Sequence, residues 1–230
     1  MGELFGSIAR VFEAGGLGMY PIAVAMIFAL TIMVDRIFVL YFKASIDKDA
    51  FMRTLKKLVY AGELDKAVSY VAGQKKTPLT QVIKAGLIAV PKGEEDVQAS
   101  LDEATLREAP VVERRTGYLA MIGNVATLLG LLGTIIGLIK SFGAVSAANP
   151  ADKATILSQG ISEAMNCTAF GLSVAIPSLI AFSVLQGRTQ RMMDDINESA
   201  VGLLNLILAN RDKMKISPAA RSDVPDEVEA

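Results

Sequence analysis

The stretch LAMIGNVATLLGLLGTIIGLIKSFG, residues 119–143, constrains this chain more than any other. It is long and apolar enough to cross a bilayer as a helix, yet small or hydroxyl residues recur along it at fixed spacing. Thr127, Gly130, Thr134, Gly137 and Ser141 follow steps of three, four, three and four, which places them on one helical face. Leu128, Leu129, Leu131, Leu132, Ile135, Ile136, Leu138 and Ile139 cover the rest of the surface. A plain anchor has no use for such a stripe. A helix that packs closely against other helices, or borders a narrow polar path, does.

Composition agrees with a membrane protein that also has a substantial part in water. Of 230 residues, 52% are hydrophobic and the mean hydropathy is positive, while 20% are charged. The net charge of −1 comes with no concentrated basic patch, which excludes nucleic acid as a partner. A single cysteine, Cys167, rules out an intrachain disulfide. The absence of histidine removes the usual general base, the commonest metal ligand and the usual neutral-pH proton carrier. No nucleophile–base pair or metal-ligand cluster appears, so neither catalytic residues, nor a metal, nor a cofactor is expected.

The N-terminus does not fit a cleavable signal, because no basic cluster precedes the apolar run and that run is too long for a signal core. MGELFGS also misses the myristoylation pattern, since Ser7 falls one place late. Residues 1–16 set Leu4, Phe5, Ile8 and Phe12 on one face, as an amphipathic helix on the outer membrane surface would. The first span is expected at 17–42. It carries no charge from Met19 to Val34, and Asp35–Arg36 then interrupts it near the end. That pair reads as a boundary ion pair, with ion conduction by Asp35 as the other reading.

Residues 43–117 have soluble character. DKDAFMRTLKKLVYAG, ELDKAVSYVAG, TPLTQVIKAGLIAV and EEDVQASLDEATLREA each show helical periodicity, with Gly and Pro at the breaks. The second span follows at 118–143, then a polar link at 144–160, and a third span at 161–187 with Pro177 inside it. Residues 188–213 prolong that helix into water, and 214–230 read as a disordered tail. The fold class is therefore all-α: an integral membrane protein with three transmembrane helices and long helices extending into a cytoplasmic helical domain.

Charge distribution orients the spans. Residues 43–117 hold thirteen Lys and Arg and the stretch after Gly187 holds six, against one in 1–16 and one in 144–160. The positive-inside rule puts the N-terminus and the link outside, and the helical domain and C-terminus in the cytoplasm.

The third span has its own stripe: Ala164, Thr168, Gly171, Ala175 and Ser178. Joined by a short link, spans two and three are expected to lie antiparallel with their stripes together. Close packing explains Gly and Ala in both, and a threonine can bond to its own helix's carbonyls; a polar pathway explains the hydroxyls equally. Glu163 sits at the edge of span three and needs water or a partner. Lys140 offers a boundary ion pair, and an ion-entry role is the alternative. Asn166 and Cys167 extend this polar neighbourhood, with Cys167 packing as a small apolar residue. No carboxylate lies at the centre of any span. If protons cross here, the group that takes them up belongs to another chain.

ATLLGLLGTIIGLIKSF, followed about twenty residues later by GISEAMNCTAFGLSVAIPSL, resembles the two strongest blocks of the MotA/TolQ/ExbB proton-channel family. MVDRIFVL is similar to the family's ER-type ending of the first span, and three spans match the ExbB/TolQ branch. The resemblance implies a channel-forming, stator-like subunit in a bacterial inner membrane. It implies a homopentamer around a dimer of a single-span, ExbD- or TolR-like partner whose membrane aspartate carries the proton. On the matching positions, Thr134 and Thr168 are the family's pore threonines, Glu163 its GIxEA glutamate and Pro177 its AIP proline. Gly130, Gly137 and Gly171 fall in the packed pore wall. Thr127 stands where the family often has proline, which adds a hydroxyl to the stripe and leaves the ion open between H+ and Na+. TonB-dependent transport, Tol-type envelope maintenance and gliding motility are all served by such proteins, with a TonB- or TolA-like or gliding-machinery protein as a further partner. A non-conducting membrane scaffold is the competing expectation.

Overall fold

Helical periodicity sets the elements of this chain, and Gly, Pro and capping residues set their ends. The computed structural model describes residues 16, 18–43 and 46–210; apart from Gly16, the expected outer-face helix and the tail at 214–230 lie outside the described residues. The order is α1 (Met19–Phe38), a π-turn (Val39–Lys43), α2 (Lys48–Tyr60), α3 (Leu64–Gly73), α4 (Pro78–Ala89), a 3-10 turn (Val90–Lys92), α5 (Glu94–Glu113), α6 (Thr116–Ala147) and α7 (Lys153–Ala209). Every regular element among the described residues is helical, and three helical stretches are long and apolar enough to cross a membrane. The all-α, three-span expectation holds.

The chain divides into two compact units: α1 with Arg115–Gly187, and Val39–Arg114 with the remainder of α7. In the first, α6 and α7 run antiparallel with their small residues interlocked. A Cβ on Gly130 would sit 3.2 Å from the Thr168 Cα, and one on Gly137 3.1 Å from the Ala164 Cβ. A Cβ on Gly171 would come within 2.7 Å of the Ala126 carbonyl oxygen. Farther along, Gly160 packs against Ser141. In lipid, backbones approach this closely only where side chains are absent, and dispersion over the seam replaces the hydrophobic drive. Helix α1 closes the unit by burying Met19 and Ile22 against Ala126, Cys167, Val174 and Ala175.

The polar link between the second and third spans is largely helical. Residues 144–147 continue α6 and α7 begins at Lys153, not near 161, so the non-helical break is only 148–152. Asn149–Pro150 is the one strong helix-breaking pair in this stretch. Polar residues leaving the bilayer have no reason to unwind. At 57 residues, α7 runs roughly 85 Å, against a hydrocarbon core of about 30 Å. It continues through Pro177, whose ring removes one backbone donor.

The second unit is built from capped amphipathic helices. The Asp47 carboxylate accepts from the Ala50 N–H at 3.0 Å to start α2. Thr77 and Thr80 cap each other at the start of α4, where Pro78 takes the first turn. Leu79, Val82, Ile83 and Leu87 of α4 are buried, as are Val97, Leu101 and Ala104 of α5, and the two helices pack on each other. Phe51 and Tyr70 stack at 5.9 Å between centroids, joining α2 to α3. The helical extension expected at 188–213 belongs to this unit and ends at Ala209. Lys48 Nζ donates to Asp195 at 2.8 Å and Glu198 at 2.6 Å, tying α2 to α7. These two hydrogen-bonded carboxylates hold the Lys48 ammonium well above its ordinary range.

Two outcomes follow from this packing. Gly171→Val forces α6 and α7 apart and lowers unfolding stability in detergent by about 1–3 kcal/mol; Gly143→Val, which meets nothing within 4 Å, leaves it unchanged. Lys48→Met lowers the stability of the fold by the small amount expected of a partly exposed network, about 1 kcal/mol or less. Because the folded-state pKa of Lys48 is raised, its contribution is complete below the unfolded value of 10.5 and is lost only as pH climbs beyond it. The difference between Lys48→Met and wild type therefore stays constant from neutral pH to about 9.5 in a pH series of thermal melts.

Candidate functional site

Thr134 and Thr168 meet where the α6 and α7 stripes cross. Their hydroxyls are in direct hydrogen-bonding contact. Both hydroxyl oxygens also lie 3.0 Å from the Gly130 carbonyl, and that of Thr134 lies 3.4 Å from the Ala164 carbonyl; with one proton each, one hydroxyl donates to the other, which donates to a carbonyl. Neither group is fully buried. The local reason is steric: glycine at 130 and 171 and alanine at 126 and 164 bring the backbones close enough for two short side chains to touch. The hydroxyl that donates within the pair keeps its own lone pairs free to accept from a third group.

The other residues singled out in the sequence separate into distinct places. Gly130, Gly137 and Gly171 form the packed seam itself. Thr127 is exposed and donates its hydroxyl to the Gly123 carbonyl at 3.1 Å, while Ala126 takes the buried position facing α7. Eleven residues make almost three whole turns of an α-helix, so Ala126 lies within about 20° of Gly137, while Thr127 stands about 80° round from it. Ser178, also on the α7 stripe, is buried and donates to its own helix at Val174. Asn166 is half-exposed and Pro177 exposed, and neither joins the threonine pair. Cys167 is buried, its sulfur filling the space between Gly133 and Gly18 where α1 meets α6 and α7.

Charged groups stand only at the two ends of the spanning unit. At one end the Asp35–Arg36 boundary pair forms, with Arg36 Nη2 3.3 Å from Asp35 Oδ2. Arg36 is 3% exposed, and a second cation, Arg115, reaches the same oxygen at 3.4 Å. Arg115 holds a left-handed backbone (φ 63°) that ends α5 and starts α6. Sequence reasoning missed it, because nothing local links residues 35 and 115. At the other end Lys140 and Glu163 line one cavity, but the ion pair expected between them is absent. The Glu163 carboxylate instead lies against the backbone of Gly16. Among the described residues no group of His, Cys, Asp and Glu could hold a metal ion.

Fold and site together define a multi-pass, all-α membrane protein whose spans enclose paired hydroxyls and keep carboxylates at their edges. Residues 74–198 match the MotA/TolQ/ExbB proton channel family, and the chain belongs to that family, in its ExbB/TolQ-like branch. It is 27% identical over 187 residues to the biopolymer transport protein ExbB of Salmonella typhimurium, covering 75% of each chain. It is 33% identical over 99 residues to the Tol-Pal system protein TolQ of Pseudomonas aeruginosa, covering 43% of this chain and 42% of that one. Its fold is similar to the structure of MotAB from C. jejuni, with a TM-score of 0.52, 17% identity, and coverage of 92% of this chain and 82% of that chain.

The end-charge network yields a third expected outcome. Asp35→Asn strands the buried Arg36 guanidinium and destabilises the spanning unit by about 1–2 kcal/mol, reduced from a fully buried pair by the partial exposure of Asp35. Arg115→Gln changes stability by less than about 1 kcal/mol. Chemical denaturation of the detergent-solubilised variants compares the two.

Proposed function

We propose that this chain is the channel-forming subunit of a complex that uses the proton-motive force to drive work at the outer membrane or cell envelope. The observation that carries the reading is the Thr134–Thr168 hydroxyl pair, set in spans that own no central carboxylate. Hydroxyls of this kind do not titrate near neutral pH, so the pair cannot itself cycle a proton. It can accept a hydrogen bond from a neutral carboxylic acid. By turning one hydroxyl away from the Gly130 carbonyl, it can donate to the same group once ionised. A site that serves both protonation states lowers the barrier to exchange on a carboxyl group supplied from outside.

That carboxyl group is the aspartate of a single-span, ExbD- or TolR-like partner, two copies of which would sit inside a homopentamer of this chain. Uptake and release of its proton would drive a rotary step between the two. The Lys and Arg distribution supports an inner-membrane location with the N-terminus periplasmic and the C-terminus cytoplasmic. The names of the relatives, biopolymer transport and Tol-Pal, span two envelope tasks, and gliding motility is a third. The translocated ion is H+, with Na+ the alternative that the additional hydroxyls leave open.

Thr134→Val and Thr168→Val each abolish energisation of the downstream process and proton flux in proteoliposomes, while membrane insertion stays intact; Thr→Ser at either position retains activity. A non-conducting scaffold is the competing reading, favoured by the inward hydrogen bonding of both hydroxyls to Gly130. It requires the valine variants to perform as wild type, and native mass spectrometry of the gently solubilised complex to find no aspartate-bearing single-span partner.

A further inference from the structure

At the end of the spanning unit where α1 begins and α6 leaves the bilayer, a cavity of about 410 Å3 lies between apolar walls of Pro21, Leu129, Leu132 and Ile136. Two charged residues, Lys140 and Glu163, line it as well. Among the described residues neither makes an ion pair or hydrogen bond. Both stand near the ends of the spans expected at 118–143 and 161–187, where a charge costs least. Leu132 and Ile136 of its wall are themselves 50% and 57% exposed, so the cavity opens onto the surface of the chain.

We propose that this cavity binds a phospholipid and selects one with an ethanolamine headgroup. The volume is more than ten times the roughly 30 Å3 that a water occupies, and walls of Leu, Ile and Pro do not favour filling it with water. An acyl chain suits the apolar part. The two charges decide the headgroup. A small cation would satisfy Glu163 and leave Lys140 unanswered; an anionic headgroup would do the reverse. A phosphate joined to a primary ammonium serves both, with the phosphate accepting from Lys140 and the ammonium donating to Glu163. A choline headgroup has the same charges but no N–H to donate, so it fits less well. This inference rests on the membrane-spanning fold and is independent of any ion flow through the threonine pair.

The test uses the full chain in nanodiscs holding equal parts of ethanolamine, glycerol and choline phospholipids of matched acyl chains, followed by native mass spectrometry after release. The wild type retains the ethanolamine lipid roughly ten-fold over either other lipid, the scale of a hydrogen bond between charged groups. Glu163→Gln removes the preference over the glycerol lipid, Lys140→Gln weakens retention of both, and Ile136→Trp displaces bound lipid by filling the cavity without touching either charge. Circular dichroism confirms that each variant keeps its helices. Equal retention of the three lipids, or a preference unchanged in Glu163→Gln, overturns the proposal. So does a cavity closed by a second copy of the chain, revealed by disulfide-linked dimers of Ile136→Cys and no bound lipid.

Discussion

At the crossing of α6 and α7, the place a Cβ on Gly171 would occupy lies 2.7 Å from the Ala126 carbonyl oxygen and 3.0 Å from the Gly130 Cα. No side chain fits there, and the rest of the spanning unit depends on that fact. Lipid tails are as apolar as leucine, so two helices gain little by hiding leucines from them; contact has to come from dispersion at short range and from hydrogen bonds. The glycine contact supplies the first. By shortening the separation, it also permits the second, because Thr134 and Thr168 reach each other only across a seam this tight. The same contact sets the antiparallel register, which in turn places Lys140 and Glu163 at one end of the unit.

Polarity in the membrane is arranged by depth. Arg36 and Arg115 share one Asp35 oxygen at one end, Lys140 and Glu163 border a cavity at the other, and the stretch between holds uncharged polar groups: hydroxyls, backbone carbonyls, a buried thiol and the amides of Asn124 and Asn166. Charges at span ends are inexpensive because water and headgroups are near, whereas a central carboxylate would have to be neutralised or paired. A chain of the MotA/TolQ/ExbB proton channel family that keeps its centre free of carboxylates is suited to form the wall of a path and not its proton carrier.

How much of this was legible in the sequence depended on whether the signal was local. Helix type and order could be read because periodicity, capping residues and apolar length act within one or two turns; Thr77 with Pro78, and Asn149–Pro150, mark boundaries without any help from the fold. Residues 153–160 are polar and still helical, because leaving the bilayer does not unwind a helix and only the Asn149–Pro150 pair breaks it. That Ala126 and not Thr127 packs on α7 depended on the angle at which the two helices meet, which no local pattern carries.

The sequence by itself determined the three spans, the helical unit between the first two, the two small-residue stripes and the lack of a central acid, all properties of single helices in a bilayer. Only the tertiary structure decided that the stripes lock at Gly130 and Gly171, that both threonines share the Gly130 carbonyl, that Arg115 joins Asp35, and that Glu163 turns toward Gly16 and away from Lys140. Such contacts join residues distant in the chain. Their geometry follows from how closely two backbones approach and which rotamers that separation allows, and a linear pattern of residue types carries neither quantity.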